Sequence, residues 1–282
     1  MAPSQPVDLP AIAFLGAGSM ARAVLAGLLQ PHVAVDGIRA TNRSASRAAE
    51  FADEPRVTAY ATEADAAANR RAVAGAKLVV VAVKPAMVPD LLDEIADALE
   101  PGTIVVSVAA GVTVETFEAH LPEHVSVVRT MPNTPAVVGR AVTGVSAGTR
   151  SSEDDLALVV SLFETVGDVL VVPESQLDAL STISGSGPAY VFLLIEALER
   201  AAIAKGFTPE QAAVMVQGTF RGASELLGAS VDGPAELRRR VTSPKGTTER
   251  AIAVLEEADL AGLFGRATDA ALARARELAA GA

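Results

Sequence analysis

The chain has 282 residues, half of them apolar, with 8 Phe, 2 Tyr, no Trp and a formal net charge of −11. That length suits two ordinary domains, and so few aromatics suit α/β layers and packed helices built on Ala, Val and Leu. The charge leaves no basic footprint for nucleic acid or an anionic membrane. With no cysteine there is no disulfide, thiolate metal site or cysteine nucleophile.

Residues 1–10 carry Pro3, Pro6 and Pro10 and lack the basic, apolar pattern of a secretion signal; they read as a short mobile leader. Ala11–Leu15 reads as a buried strand, Ala21–Leu29 as a helix and Ile38–Asn42 as a second strand. Arg47–Asp53 looks helical. Lys77–Val83 is the clearest buried strand, stopped by Pro85, and Val88–Leu99 is an amphipathic helix ended by Pro101-Gly102. Thr103–Val108 (strand), Val114–His120 (helix), Val125–Thr130 and Ala141–Ala147 (strands), Glu153–Phe163 (helix) and Val169–Val172 (strand) follow. This alternation predicts a doubly wound parallel sheet. After Pro173 only helices are expected: Ala189–Lys205, Pro209–Leu227, Ala235–Val241, Thr247–Glu257 and Phe264–Ala279. Thr208-Pro209-Glu210-Gln211 opens one of them with an N-cap, a first-turn proline and a capping-box partner. The predicted domains are residues 11–173, which are α/β, and residues 174–282, which are helical. The longest apolar stretch, Ala189–Ala204, is broken by Glu196, Glu199 and Arg200, so no membrane span is expected and a cytoplasmic protein is. That helix is apolar on most faces. Either its own domain buries it, or two copies interlock; the homodimer is the sharper expectation.

Gly16-Ala17-Gly18-Ser19-Met20-Ala21 joins the first strand to the first helix. In such a turn the first glycine makes the bend, the second admits a pyrophosphate and the small third residue lets helix and strand pack. The helix N-terminus then offers N–H groups to the phosphates. The bare alternative is a tight turn without a ligand. The fingerprint marks the first domain as a Rossmann domain. Its second strand ends at Thr41-Asn42-Arg43-Ser44, without the carboxylate that would hold the ribose 2′-hydroxyl of NAD. Arg43 suits a phosphate, and Asn42 and Ser44 can donate to it. The expected cofactor is NADPH, with NADH as the alternative; Arg43 as a solvated loop charge is the plainer reading.

Ligands in an open α/β sheet lie at the carboxyl ends of its strands. Three further segments fall there. Ala82-Val83-Lys84-Pro85 offers Lys84 as a general acid or as a cation lining the ribose and pyrophosphate. Ala109-Ala110-Gly111 allows close backbone approach. Met131-Pro132-Asn133-Thr134-Pro135 offers Asn133 to a carboxamide or substrate, unless the loop is merely stiffened by its prolines. In the helical half, Ser184-Gly185-Ser186-Gly187-Pro188-Ala189-Tyr190 and Thr242-Ser243-Pro244-Lys245-Gly246-Thr247-Thr248 each present hydroxyls and backbone N–H groups at a helix start. Such an arrangement suits a carboxylate, and paired helix caps are the alternative.

With Phe14–Met20, Ala82–Pro85, Met131–Pro135, Ser184–Tyr190 and Thr242–Thr248 in this order, the sequence closely resembles the pyrroline-5-carboxylate reductase family over almost its whole length after the leader. The resemblance implies reduction of 1-pyrroline-5-carboxylate to L-proline with NADPH or NADH, the last step of proline synthesis. It implies an all-helical dimerisation domain interlocking two subunits, in many members assembled further into decamers. Cofactor contacts are implied at Gly16, Ala17, Gly18, Ser19 and Met20, at Asn42 with its neighbours Arg43 and Ser44, at Asn69, at Ala82, Val83, Lys84 and Pro85, and at Ala109 and Gly111. Substrate contacts are implied at Val241, Thr242, Ser243, Gly246, Thr247 and Thr248, with Ser186 from the first loop; Thr248 is the hydroxyl nearest the bound ring. Two positions depart from the family: Lys245 replaces a small residue or asparagine, and Arg240 stands where asparagine is frequent.

A cyclic iminium ion already accepts hydride well, so positioning and charge placement are the protein's tasks. The Ser243–Thr248 donors are expected to hold the carboxylate. The Thr248 hydroxyl, or a water it orders, is expected on the imine nitrogen. Lys84 and Tyr190 are weaker candidates for a general acid. His32, His120 and His124 supply no metal-ligand set, so no metal is expected. The rivals are a relative acting on another cyclic imine or a β-hydroxy acid, which would place a lysine within the long helix, and a non-catalytic NADP(H)-binding regulator.

Overall fold

The buried apolar runs of the first half become strands covered on both faces, as parallel sheets require. The computed structural model describes residues 6–279. In chain order it begins with β1 (Val7–Leu9), β2 (Ile12–Leu15), α1 (Ser19–Leu28), β3 (Val33–Val35), β4 (Ile38–Asn42), α2 (Ala45–Ala49), β5 (Val57–Ala61) and α3 (Ala68–Val73). Next come β6 (Leu78–Val81), α4 (Val88–Ile95), β7 (Ile104–Ser107), α5 (Val114–His120), β8 (Ser126–Met131), β9 (Ala141–Ala147), α6 (Glu153–Glu164), β10 (Gly167–Val171) and α7 (Glu174–Leu180). The remainder is helical: α8 (Gly187–Ala204), α9 (Pro209–Ala229), α10 (Pro234–Arg240), α11 (Thr247–Glu257) and α12 (Leu260–Ala279).

Two compact units result: one reaches Ser186 and includes the chain from Leu272, the other is Gly187–Ala271. The sheet of the first unit runs β10-β9-β8-β7-β6-β2-β4-β5. From β5 to β8 every pairing is parallel, and the strand order reverses between β2 and β6, the topological switch of a doubly wound fold. The doubly wound parallel sheet has one antiparallel pairing, at one side. β8 pairs β9 antiparallel, because only Pro132–Arg140, with a 3₁₀ turn at Thr134–Val138, connects them. A parallel return needs a longer crossover; α6 provides one, and β10 lies parallel to β9.

Alternate strand residues face two apolar layers. Ile12, Phe14, Leu78, Val80, Ile104 and Val106 pack on one side with α1 and α6. Ala13, Leu15, Val79, Val81 and Val105 pack on the other with α3, α4 and α5. Part of the expected leader belongs to this body: Val7–Leu9 pairs with Val33–Val35, and Leu9 is buried. Residues 1–5 of that leader lie outside the described residues. Gly27, an odd residue for the interior of α1, marks a close approach, since a Cβ there would stand 2.4 Å from Val166 Cγ1.

In the second unit, the Thr208 hydroxyl and the Gln211 side chain form the anticipated capping box of α9. α8 has no buried residue; Val191, Phe192, Leu193 and Leu198 are all exposed. No helix among the described residues is long and apolar enough to cross a membrane.

Candidate active site

The glycine turn sits at the switch point. Gly16 has φ +84°, and a Cβ on it would stand 2.7 Å from Val83 Cγ1 and 3.1 Å from the Ala82 carbonyl. Only glycine fits that backbone and that gap. The turn is fastened by Ala17 N–H to Thr41 O at 2.8 Å, by Gly16 N–H to Thr41 Oγ1 at 3.3 Å and by Gly18 N–H to Gly16 O at 2.7 Å. α1 starts at Ser19 with Gly18 as its N-cap and no side-chain cap, so Ser19 and Met20 open the helix with their backbone donors uncapped by a side chain. Ala21 is buried against the sheet. Outside the turn, Arg22 pairs with Glu50 at 2.6 Å and lies over the Phe51 ring.

Beside the turn opens a cleft of about 510 Å³. Gly16, Asn42, Arg43, Asn69 and Val83 line it, together with Thr41, Thr62, Asp90 and Glu94. Four predicted cofactor segments are thus brought to one place. Asn42 is buried, and its Nδ2 has no hydrogen-bond partner. An unpaired buried donor costs stability unless something accepts from it, and a cofactor oxygen or ring nitrogen would. Arg43 is exposed and forms no ion pair among the described residues. The Ser44 hydroxyl caps α2, accepting from Arg47 N–H at 3.4 Å, and lies 3.0 Å from Ser46 Oγ; an accepting hydroxyl keeps its own O–H as a donor. Asn69 is buried at the back of the cleft and donates to Glu94 Oε2 at 3.0 Å. The fit for a nucleotide is therefore good: a glycine cradle, an orphaned amide and a free guanidinium share one cleft.

The other predicted positions lie along the same strand ends. Ala82 and Val83 follow β6, and Lys84 is exposed as the N-cap of a 3₁₀ turn at Pro85–Met87. Ala109 is buried after β7, and Gly111 turns the chain with φ +75°. Asn133 is spent internally: its Nδ2 donates to Ser184 O at 2.8 Å and its Oδ1 accepts from Val142 N–H at 2.9 Å. Those bonds match the loop-stiffening alternative. Ser186 ends a π-helical segment, Ser181–Gly185, with its N–H on Ser181 O at 2.9 Å.

The second loop lies wholly in the helical unit. Val241 caps α10 and is exposed. The Thr242 hydroxyl donates back to Arg238 O at 2.7 Å. Ser243 O accepts from Gly246 N–H at 3.0 Å, and Gly246 is the N-cap of α11 without a side-chain bond. Thr247 and Thr248 occupy the first turn of α11, exposed, and no hydrogen bond engages either hydroxyl among the described residues. The cap alternative describes part of this loop, since Thr242 closes the end of α10, but it leaves the Thr247 and Thr248 hydroxyls unused. Lys245 has φ +60°, the left-handed region that favours glycine or asparagine. Its N–H is held by Glu249 Oε2 at 2.9 Å.

Residues 174–278 match the family model described as pyrroline-5-carboxylate reductase dimerisation, and residues 11–111 match NADP oxidoreductase, coenzyme F420-dependent. A pyrroline-5-carboxylate reductase of Pseudomonas aeruginosa is 39% identical, over 97% of this chain and 98% of its own. The chain belongs to the pyrroline-5-carboxylate reductase family. A solved family structure from Coxiella burnetii is 38% identical, superimposes with a TM-score of 0.87 and covers 95% of this chain and 97% of its own. A pyrroline carboxylate reductase of Plasmodium falciparum, solved with NADP bound, shares the fold at 23% identity and a TM-score of 0.79, over 95% of this chain and 97% of its own. Family membership makes the chain an oxidoreductase with a nicotinamide-binding Rossmann domain, and the dimerisation match makes it a homo-oligomer. The bare α8 face accords with that.

Sequence reasoning missed the acids of the cleft. Asp90 and Glu94 are on α4, one turn apart, which their spacing could have shown. Thr62 and Glu63 follow β5, a strand whose Val-Thr-Ala-Tyr-Ala alternation was the available signal.

Proposed function

We propose that this chain reduces 1-pyrroline-5-carboxylate to L-proline with NADPH, and with NADH as a second donor. The observation that carries the reading is the 39% identity to a pyrroline-5-carboxylate reductase over nearly the whole of both chains. Two features of the chain support it: the nucleotide cleft at the strand switch, and the threonines of α11 with unused hydroxyls. Arg43, with no carboxylate at the end of β4, favours the phosphorylated cofactor.

When bound, the cofactor supplies hydride to the imine carbon. The chain's own residues do the rest. Gly16–Met20, Asn42 and Arg43 bind the nucleotide, and Asn69, Ala82–Pro85, Ala109 and Gly111 bound the space it occupies. Backbone N–H groups and hydroxyls of Ser243–Thr248 hold the substrate carboxylate at the start of α11. The Thr248 hydroxyl, directly or through one water, hydrogen-bonds the ring nitrogen and keeps the iminium ion oriented. The ring nitrogen carries its proton through the reduction and ends as the amine. Val241, at the end of α10, completes the contacts of that loop.

The subunits pair through the helical unit, with α8 covered by the second copy. A decamer of five dimers in the cytoplasm is the fuller form of this proposal. Thr248→Ala tests the chemistry. Loss of one such hydrogen bond is worth ~1–3 kcal/mol, or roughly five- to 150-fold in kcat/KM, with NADPH affinity unchanged. Near-normal turnover would remove Thr248 from the mechanism.

A further inference from the structure

The end of β4 lacks a carboxylate, and β5 delivers one there. The β4–β5 register pairs Asn42 with Ala61. Two more bonds extend the pairing beyond the strands: Thr62 N–H donates to Asn42 O at 2.9 Å, and Glu63 N–H donates to Arg43 O at 3.0 Å. Glu63 therefore stands alongside Ser44. Its Oε1 accepts from Ala45 N–H at 2.7 Å, two residues beyond Arg43, and both Arg43 and Thr62 line the cleft. Asn42, which pairs with Ala61 at the start of this segment and also lines the cleft, keeps a buried Nδ2 with no partner, a donor left for a ligand. Glu63 is exposed and forms no ion pair among the described residues.

We propose that Glu63 sets the balance between NADH and NADPH, a reading that rests on the nicotinamide-cofactor assignment above. An adenosine ribose with free hydroxyls offers O–H donors, which a carboxylate accepts. A 2′-phosphate is an anion, which the same carboxylate repels. Arg43 acts in the opposite sense at the same corner, attracting phosphate and contributing little to a hydroxyl. Glu63 thus favours NADH and tempers the NADPH preference that Arg43 confers. A purely structural role for Glu63, holding the start of α2 through Ala45, would affect both cofactors alike.

The test is Glu63→Gln in the purified full-length chain. Glutamine keeps the size and leaves an oxygen to accept from Ala45 N–H. Fluorescence titration with NADH and with NADPH gives the two Kd values. The expected result is opposite movement: NADPH binds about fivefold tighter and NADH about fivefold weaker, the scale of one exposed charge interaction. The NADPH change shrinks with added salt, because screening shortens the reach of the charge. Glu63→Lys extends the same trend. Arg43→Gln weakens NADPH more than it weakens NADH. Both Kd values moving together in Glu63→Gln, or neither moving, overturns the proposal. A wild-type chain that binds neither cofactor overturns the cofactor assignment itself, and is told apart by measuring that chain first.

Discussion

Replacing Gly16 with alanine strains the cleft at two points. At φ +84° a side chain meets the left-handed penalty, ~1–2 kcal/mol. The new Cβ would stand 2.7 Å from Val83 Cγ1, inside the 3.4 Å where ordinary contact begins. Relieving such overpacking costs ~1–3 kcal/mol. Val83 lines the cleft, so the side chain that yields moves within the space a nucleotide needs. The sum is a loss of about 2–5 kcal/mol, which in a domain of this size lowers Tm by roughly 4–20 °C. NADPH affinity falls by about tenfold or more, equivalent to ~1.4 kcal/mol. Thermal denaturation and fluorescence titration measure the two effects. The double variant Gly16→Ala/Val83→Ala removes the overlap with Cγ1 and leaves the backbone strain, so it recovers part of the cofactor affinity. A Gly16→Ala chain with unchanged Tm and Kd would refute the reasoning. So would a double variant that binds no better than the single one.

The buried Arg129 guanidinium donates to Glu174 at 3.1 Å and Asp178 at 2.7 Å, and its Nε has no partner. Asp178→Ala leaves that charge half-paired and costs about 3 kcal/mol, seen as a lower urea midpoint. Lys245→Asn relieves the φ +60° strain and adds about 1 kcal/mol; a fall in Tm would contradict it. Hydrogen bonds from Arg239 and Arg240 hold the half-buried Glu236 carboxyl down from its ordinary 4.5 to about 2. Because the folded value is the lower one, its contribution to stability is whole above pH 4.5. The contribution fades as pH falls and is gone below about pH 2. Glu236→Gln should flatten the Tm profile across that interval.

The first unit was legible wherever burial was deep. Leu78–Val81 and Ile104–Ser107 are continuous apolar runs, and parallel strands covered on both faces have no other pattern. β1, β3 and β5 escaped because they are short and half exposed. α3 escaped because its Ala-rich sequence has little periodicity. The glycine turn was readable because its three small residues answer local needs. Glu63 was not, because it reaches Ser44 only through strand register, which no local pattern encodes. Asn133 shows the converse. Its residue type suggested a ligand, yet its amide bonds Ser184, 51 residues away. In the helical half, the apolar α8 signalled a missing partner, and its surface in the single chain is indeed uncovered.

Steady-state turnover of the purified chain measures the proposed reaction most directly. 1-Pyrroline-5-carboxylate is supplied with NADPH, then with NADH, and the loss of nicotinamide absorbance is followed alongside proline formation. The account predicts stoichiometric proline with both donors and higher kcat/KM with NADPH. Cofactor binding without any oxidation, or oxidation without proline, would contradict it.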